Sequence, residues 1–166
     1  PLHNVSLYSA RFPTGDKGGN EWIFLYAGER ENLHWVWDGL LGRDARWASV
    51  RANATRLEQL RPHAQADAQI LATTDIRQWV QEGRFLAIEL AYLGGKLTGV
   101  SNAELKADPN LAPSEIPAAY VEASTKIAEV RGPLAAWRLA ETFKRSPLPV
   151  PPATQPSIPE ASETPR

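Results

Sequence analysis

The heptapeptide Asn32-Leu33-His34-Trp35-Val36-Trp37-Asp38 combines the start of a helix with two side chains that can bind a metal. Asn32 is a favourable N-cap, so the sequence predicts a helix that begins directly after it and ends near Gly42. On a helix, His34 and Asp38 would share one face, because residues four apart have Cβ atoms about 5–6 Å apart. An imidazole and a carboxylate at that spacing can bind one zinc ion at about 2.0–2.2 Å each. Taken alone, such a pair more often belongs to a solvated helix face.

Two further motifs lie upstream of the heptapeptide. His3 belongs to Pro1-Leu2-His3, and Gly18-Gly19-Asn20 lies between that motif and the heptapeptide. The aromatic and β-branched residues 21–26 predict one strand of a short hairpin, bounded by the glycine motif and by Ala27-Gly28. By itself, Gly18-Gly19-Asn20 predicts a tight turn.

Taken in this order, the three motifs resemble the zinc-dependent single-strand nucleases of the S1/P1 type. That family includes mung bean nuclease and is related to bacterial zinc phospholipase C. The resemblance covers about residues 1–144 and is densest before Asp38. It implies a mainly α-helical, phospholipase C/nuclease-like fold with one short β-hairpin.

The resemblance also implies a set of site residues. The family's active site holds three zinc ions, and the positions that match His3, His34 and Asp38 bind the solitary one. The positions that match Gly18 and Asn20 contact a nucleobase beside the metals, since glycine lets the backbone approach and the Asn amide offers both a donor and an acceptor. This chain would therefore ligate one of the three zinc ions.

The ligands of the other two zinc ions lie upstream of the family's Pro-Leu-His motif, whereas this sequence begins at Pro1. The chain is therefore expected to be the C-terminal portion of a longer enzyme, with a fold that is incomplete at its N-terminus. The missing N-terminal half of the same protein would be its first partner. We expect activity only when that half is present.

The activity implied by the family is hydrolysis of phosphodiester bonds in single-stranded DNA and RNA to 5′-phosphorylated products, with 3′-nucleotidase activity on nucleotides. Family members are usually secreted or periplasmic, and the same localisation is expected here. Two alternatives stay open. One is a zinc phospholipase C-like phosphodiesterase, although those enzymes have Glu where this chain has Asp38. The other is a non-catalytic helical binding module with a structural zinc ion.

Composition is compatible with an enzyme domain and excludes some other kinds of site. The net charge of −1 and the pI of about 6.4 show no excess of Lys and Arg for binding nucleic acid. Zinc ions would therefore take the place of Lys and Arg in contacts with the phosphates. The chain has no Cys, which excludes disulfides and thiolate zinc sites. No apolar run reaches the length of a membrane span.

After Gly42 the spacing of apolar residues predicts mostly helices, over residues 47–60, 65–72 and 74–93, and from Ser114 or Ile116 to about 131. Gly132-Pro133 is expected to end that helix and to open a last one through Phe143. Residues 98–113 are predicted to form a loop. The helix over residues 74–93 carries an apolar stripe that is predicted to lie in the core: Ile76, Trp79, Val80, Leu86, Leu90 and Leu93.

Two segments lie outside these helices. Tyr8 and Phe12 could stack on unpaired bases, but packing of their loop against the domain is the more frequent role of such side chains. Residues 146–166 contain seven Pro and few large apolar side chains, so they are expected to form a disordered tail. The predicted organisation is one nuclease domain over residues 1–145, followed by this Pro-rich tail.

Overall fold

The computed structural model describes residues 6–60 and 73–145, which form a mainly α-helical fold with a small antiparallel sheet. The predicted fold class and the predicted hairpin are therefore confirmed. The described strands and α-helices follow in this order: β1 (Trp22–Tyr26), β2 (Glu29–Asn32), α1 (Leu33–Asp38), α2 (Trp47–Gln59), α3 (Ile76–Leu86), β3 (Val100–Ser101), α4 (Asn102–Ala107) and α5 (Ala118–Arg145).

β1 and β2 form a hairpin whose turn consists of two residues in the left-handed region. Ala27 and Gly28 have φ angles of 53° and 83°, as in the two-residue hairpin turn whose twist matches that of the flanking strands. The register pairs Tyr26 with Glu29, and β3 pairs with the other edge of β1. Because Asn32 ends β2 and caps α1, the hairpin sets where the helix with His34 begins.

The core lies where β1 packs against the loop before it and the helical segment after α3. The ring centroids of Phe12 and Trp22 are 4.8 Å apart, Trp22 and Phe24 are stacked at 6.4 Å, and Trp22 and Tyr92 are 6.0 Å apart. Aromatic rings bury large apolar areas, so this cluster dominates the core. The remaining members of the buried cluster are Leu33, Val36, Trp37, Ala87, Ala91, Leu97, Ile116 and Tyr120.

The prediction that the apolar stripe of residues 74–93 lies in the core is wrong. Three of its members are exposed: Ile76, Val80 and Leu93. α3 ends at Leu86 and is followed by a π-helical turn over Ala87–Ala91. Hydrogen bonds from residue i to i+5 lengthen this turn, so the face directed to the core no longer follows the α-helical period. The residues buried here are Ala87, Ala91 and Tyr92.

The loop predicted over residues 98–113 is wrong in part, because it contains a strand and a helix. β3 pairs with β1, and α4 begins directly after β3. Ser101 and Glu104 form a capping box, in which each side chain accepts a hydrogen bond from the other residue's backbone N–H. The Ser-x-x-Glu pattern is visible in the sequence and would have predicted this helix start.

α5 runs without a break from Ala118 to Arg145, so the helix end predicted at Gly132-Pro133 is wrong. Pro133 removes one helical hydrogen bond, but tertiary contacts hold α5 on both sides of it. Glu129 pairs with Arg56 of α2, and Arg138 pairs with Glu82 of α3. Gly132 has a packing role, since a Cβ there would lie 2.9 Å from Cδ1 of Leu41 in the loop after α1.

An ion cluster around Glu82 joins α3 to α5. The Glu82 carboxylate accepts hydrogen bonds from Arg138 at 2.7 and 2.8 Å and from Arg131 at 2.9 Å. Arg138 is buried. The bonds from Arg138, and after them those from Arg131, hold the pKa of Glu82 below its usual range. The carboxylate therefore stays ionised and clamps the two helices together.

Glu82→Gln is expected to lower the free energy of unfolding by about 2 kcal/mol at neutral pH, since the shared carboxylate is lost although Glu82 is 33% exposed. Because its folded pKa is lowered, this stabilisation is present above 4.5, the ordinary Glu value, and is lost as the pH falls through the folded pKa. Urea unfolding at neutral pH and at about pH 3.5 should show a difference between wild type and variant that shrinks in acid. Glu122→Gln, which breaks the exposed pair with Lys126, is the matched control and should change stability little. An equal loss in both variants would contradict the clamp.

Some sequence predictions lie outside the described residues: the helix over 65–72, the placement of His3 and the disordered tail over 146–166. The domain boundary at residue 145 stays a prediction. α2 begins at Trp47 and ends at Gln59, within one residue of the predicted bounds. In the described ranges, no helix combines the length and the apolarity needed to cross a membrane.

Candidate metal centre

α1 begins at the N-cap predicted from the sequence. The Asn32 side chain accepts a hydrogen bond of 2.7 Å from the Trp35 backbone N–H, which satisfies one of the open donors at the helix start. The helix ends at Asp38 with Gly39 as its C-cap, about one turn before the predicted end near Gly42. It is short, but it contains both members of the predicted metal-binding pair.

The apolar face of α1 determines where the polar pair lies. Leu33, Val36 and Trp37 are buried. The Trp37 indole N–H donates to the Tyr120 hydroxyl at 2.8 Å, and that hydroxyl donates to the Ala91 carbonyl at 2.8 Å. Burial raises the pKa of Tyr120 to about 12, so its hydroxyl remains a donor at neutral pH. With one face of the helix held in the core, the side chains at positions 34 and 38 lie together at the rim.

Both ring nitrogens of His34 have a defined neighbour. Nδ1 lies 2.9 Å from the Gly18 carbonyl oxygen, and Nε2 lies 3.4 Å from Oδ2 of Asp38. A carbonyl oxygen only accepts hydrogen bonds, so this contact assigns a proton to Nδ1 and leaves Nε2 facing Asp38. The His34 side chain is 17% exposed and that of Asp38 is 51% exposed. The pair is therefore open to solvent mainly on the carboxylate side.

The distance between His34 Nε2 and Asp38 Oδ2 fits two ligands of one metal ion. Donors that each lie about 2.0–2.2 Å from a tetrahedral zinc ion are roughly 3.4 Å apart. The donor set, one imidazole and one carboxylate, is one that zinc accepts.

The described residues supply two of the three predicted ligands. Within residues 6–60 and 73–145, no group of three or more His, Cys, Asp or Glu side chains is placed to bind a metal. The third predicted ligand, His3, lies outside these ranges. The ligand set His3, His34 and Asp38 thus stays a prediction.

A turn over residues 17–20 holds His34 in place. Lys17, Gly18 and Gly19 have φ angles of 54°, 66° and 89°, a left-handed conformation that glycine adopts at low cost. The Gly18 carbonyl contacts the His34 ring, and the Gly19 carbonyl accepts from the His34 backbone N–H at 3.4 Å. The turn therefore contacts both the ring and the backbone of His34.

Asn20, the second predicted nucleobase contact, lies on the same turn and is exposed, whereas Gly18 is buried. The Asn20 side chain donates from Nδ2 to the Lys17 carbonyl at 2.9 Å. The neighbouring Glu21 accepts from Lys17 Nζ at 2.5 Å and from Asn102 Nδ2 at 2.9 Å, and these bonds lower the pKa of Glu21. An ionised Glu21 thus holds the side chain of Lys17 along the turn.

The arrangement agrees with a family match over most of the chain. The family model described as S1/P1 Nuclease matches residues 1–146. The chain belongs to the S1/P1 nuclease family. No curated protein and no solved structure gives a significant match. Membership confirms the resemblance drawn from the motifs and supports a nuclease, hence a hydrolase, of a family that is generally zinc-dependent.

In this S1/P1 nuclease, the sequence prediction did not include one buried residue next to the glycine turn. Asp16 is 0% exposed, and its Oδ1 accepts from the backbone N–H of Leu7 at 2.8 Å and of Gly18 at 3.1 Å. An Asp whose side chain bonds the backbone N–H two residues later forms an Asx turn. The position of Asp16 directly before Lys17-Gly18-Gly19 could have predicted this Asx turn from the sequence.

The two aromatic residues considered for base stacking differ in their surroundings. Phe12 is 4% exposed and packs against Trp22, so the packing role is confirmed for Phe12 and its ring is not open to a substrate of the S1/P1 nuclease. Tyr8 is 69% exposed. For Tyr8, stacking on an unpaired base stays a prediction.

Proposed function

We propose that this chain is the C-terminal, zinc-binding portion of a secreted or periplasmic endonuclease. It hydrolyses phosphodiester bonds of single-stranded DNA and RNA to 5′-phosphorylated products, with 3′-nucleotidase activity on nucleotides. The observation that carries the proposal is the 3.4 Å approach of His34 Nε2 to Asp38 Oδ2 in a chain of the S1/P1 nuclease family.

His3, His34 and Asp38 would hold one zinc ion, which when bound supplies positive charge for the departing 3′-oxygen of the substrate. His34 contributes a neutral nitrogen whose direction is set by the Gly18 carbonyl. Asp38 contributes a carboxylate from the solvent side of α1. The role of these residues is to hold that charge at a fixed point next to the substrate.

Gly18 and Asn20 would hold a nucleobase beside the metal centre. An amide side chain has two N–H donors and one carbonyl acceptor, so the bond from Asn20 to Lys17 leaves capacity for a base edge. The hydrogen-bonding edge of a base is open only when the base is unpaired. This contact would favour single-stranded substrates.

We also propose that hydrolysis needs the upstream half of the protein. In the family the paired zinc ions use ligands that precede the Pro-Leu-His motif, so activation of the attacking water is assigned to residues outside this chain. The chain alone would bind zinc and a nucleotide without turning over substrate efficiently.

A comparison of substrates tests the proposed function. The chain, alone and joined to any coding sequence that precedes Pro1, is incubated with zinc and single-stranded DNA, double-stranded DNA or phosphatidylcholine. We expect the longer protein to cleave single-stranded DNA to fragments with 5′-phosphates, to leave phosphatidylcholine intact and to lose activity in a chelator. Cleavage of phosphatidylcholine alone would contradict the nuclease and favour the phospholipase C-like alternative. Bound zinc without hydrolysis in the longer protein would favour the binding module.

A further inference from the structure

Asp16 is a buried carboxylate to which the proposed chemistry gives no role. It is 0% exposed, and burial of a carboxylate is costly unless hydrogen bonds replace its water. Its Oδ1 accepts from Leu7 N–H at 2.8 Å, from Gly18 N–H at 3.1 Å and from the Ser6 hydroxyl at 3.4 Å. The carboxylate therefore joins the start of the described chain to the turn over residues 17–20.

The second oxygen of Asp16 is directed to the core. Among the described residues, Asp16 Oδ2 and the Tyr92 hydroxyl are both buried without a hydrogen-bond partner. Burial and, after it, the Asp16 carboxylate raise the pKa of Tyr92. The Tyr92 ring packs on Trp22 with centroids 6.0 Å apart. Tyr92 and Trp22 both belong to the buried core cluster.

Gly18 links Asp16 to His34. Its N–H donates to Asp16 Oδ1, and its carbonyl oxygen lies 2.9 Å from His34 Nδ1. Lys17 in the same turn has a φ of 54°, which is unfavourable for a residue with a Cβ. Such a backbone persists only when the surroundings hold it. The buried carboxylate of Asp16 is one of the groups that hold it, together with the Asn20 side chain, which donates to the Lys17 carbonyl.

We propose that Asp16 is a positioning residue of the metal centre, which acts through Gly18 to set the tautomer and the direction of the His34 ring. The inference rests on the proposed function, because the direction of the ring matters when His34 binds zinc. With Asp16 in place, the Gly18 carbonyl selects the ring with a proton on Nδ1 and leaves Nε2 facing Asp38. Without Asp16, the turn loses the hydrogen bond to the Gly18 N–H, and both neutral tautomers of the His34 ring are populated.

Three variants of the 166-residue chain separate this role from a general loss of stability. Asp16→Ala removes every bond of the carboxylate. Asp16→Asn keeps an acceptor for the N–H groups of Leu7 and Gly18, so it is the conservative rescue. Asp75→Ala is the matched control, because the Asp75 side chain caps α3 by accepting from Arg77 N–H at 2.8 Å. The control is matched because both Asp16 and Asp75 accept a hydrogen bond from the backbone N–H two residues later.

Two readouts that do not depend on catalysis are measured. Nitrogen-15 NMR of the His34 ring reports the tautomer in the metal-free chain, and titration with zinc chloride reports affinity. We expect Asp16→Ala to mix the tautomers and to weaken zinc binding about 10–100-fold, as for other residues that orient metal ligands. Asp16→Asn should stay near wild type in both readouts. Asp75→Ala should lower the melting temperature and leave both readouts unchanged.

A wild-type tautomer and wild-type zinc affinity in folded Asp16→Ala would overturn the positioning role. If Asp16→Ala does not fold, Asp16→Ser replaces it, since a Ser hydroxyl can accept from the Gly18 N–H in a weaker turn of the same kind. Its zinc affinity must then fall below that of Asp75→Ala, and an equal affinity would overturn the proposal. If the wild-type chain binds no zinc, the proposed function fails, and the tautomer of His34 alone decides the role of Asp16.

Discussion

Asp38→Ala is expected to lower the bound zinc by about one ion per chain and to reduce hydrolysis of single-stranded DNA by orders of magnitude. The reason is geometric, because Asp38 Oδ2 lies 3.4 Å from His34 Nε2 and would be one of the ligands on α1. Removing the carboxylate would leave only the imidazoles of His3 and His34, and two protein ligands hold zinc weakly. Zinc content is measured by elemental analysis of the dialysed chain, and hydrolysis is measured in the longer protein.

Two companion variants define the specificity of this result. Asp108→Ala removes an exposed carboxylate that belongs to a turn, where its Oδ1 accepts from the Asn110 N–H at 3.0 Å, and it should change neither zinc content nor rate. Asp38→Glu keeps a carboxylate on a longer side chain and should retain more zinc than Asp38→Ala. Undiminished zinc and activity in Asp38→Ala would remove Asp38 from the metal site and with it the observation on which the proposed function rests.

Phe24→Ala is expected to lower the free energy of unfolding by about 3–5 kcal/mol, the usual loss when a buried Phe is truncated. Phe24 is 0% exposed and stacks on Trp22 in β1. A Cβ on Gly99 would lie 2.7 Å from Phe24 Cε1, so the site is tightly packed and cannot collapse without moving β3. Because total stabilities of domains are about 5–15 kcal/mol, this single change removes a large part. Chemical unfolding followed by Trp fluorescence measures it.

The matched control for Phe24→Ala makes the same truncation on the surface. Phe85 lies on α3 and is 63% exposed, so Phe85→Ala should change the free energy of unfolding by less than about 0.5 kcal/mol. Similar losses at both positions would show that Phe24 is not in the core. Since β1 pairs with β2, which leads into α1, Phe24→Ala should also weaken zinc binding in proportion to the unfolded fraction.

Parts of the fold that depend on neighbouring residues were predictable. The aromatic and β-branched residues 21–26, bounded by Ala27-Gly28, predicted the hairpin, and Asn32 predicted the start of α1 through its side-chain oxygen. The capping box of Ser101 and Glu104 depends on the same local chemistry and was overlooked. These features require contacts across only three or four residues.

Other predictions failed where distant contacts outweighed local preference. Gly132-Pro133 predicted a break, yet ion pairs from α2 and α3 on either side keep α5 continuous. The apolar stripe on α3 predicted burial, yet α3 is followed by a π-helical turn over Ala87–Ala91, and the buried residues here are Ala87, Ala91 and Tyr92. Helical period and the preferences of Gly and Pro describe an isolated segment, and they do not include what packs against it.

The metal centre also has one part that the sequence predicted and another that depends on distant contacts. Spacing alone placed His34 and Asp38 on one face of a helix, because residues four apart meet on every α-helix. Only the tertiary structure decided that the Gly18 carbonyl oxygen, 16 residues before His34, lies 2.9 Å from the His34 ring, and that the buried Asp16 carboxylate accepts from the Leu7 backbone N–H. Those contacts join residues that are far apart in the chain, so they exist only once β1, the glycine turn and the segment after α3 have packed together.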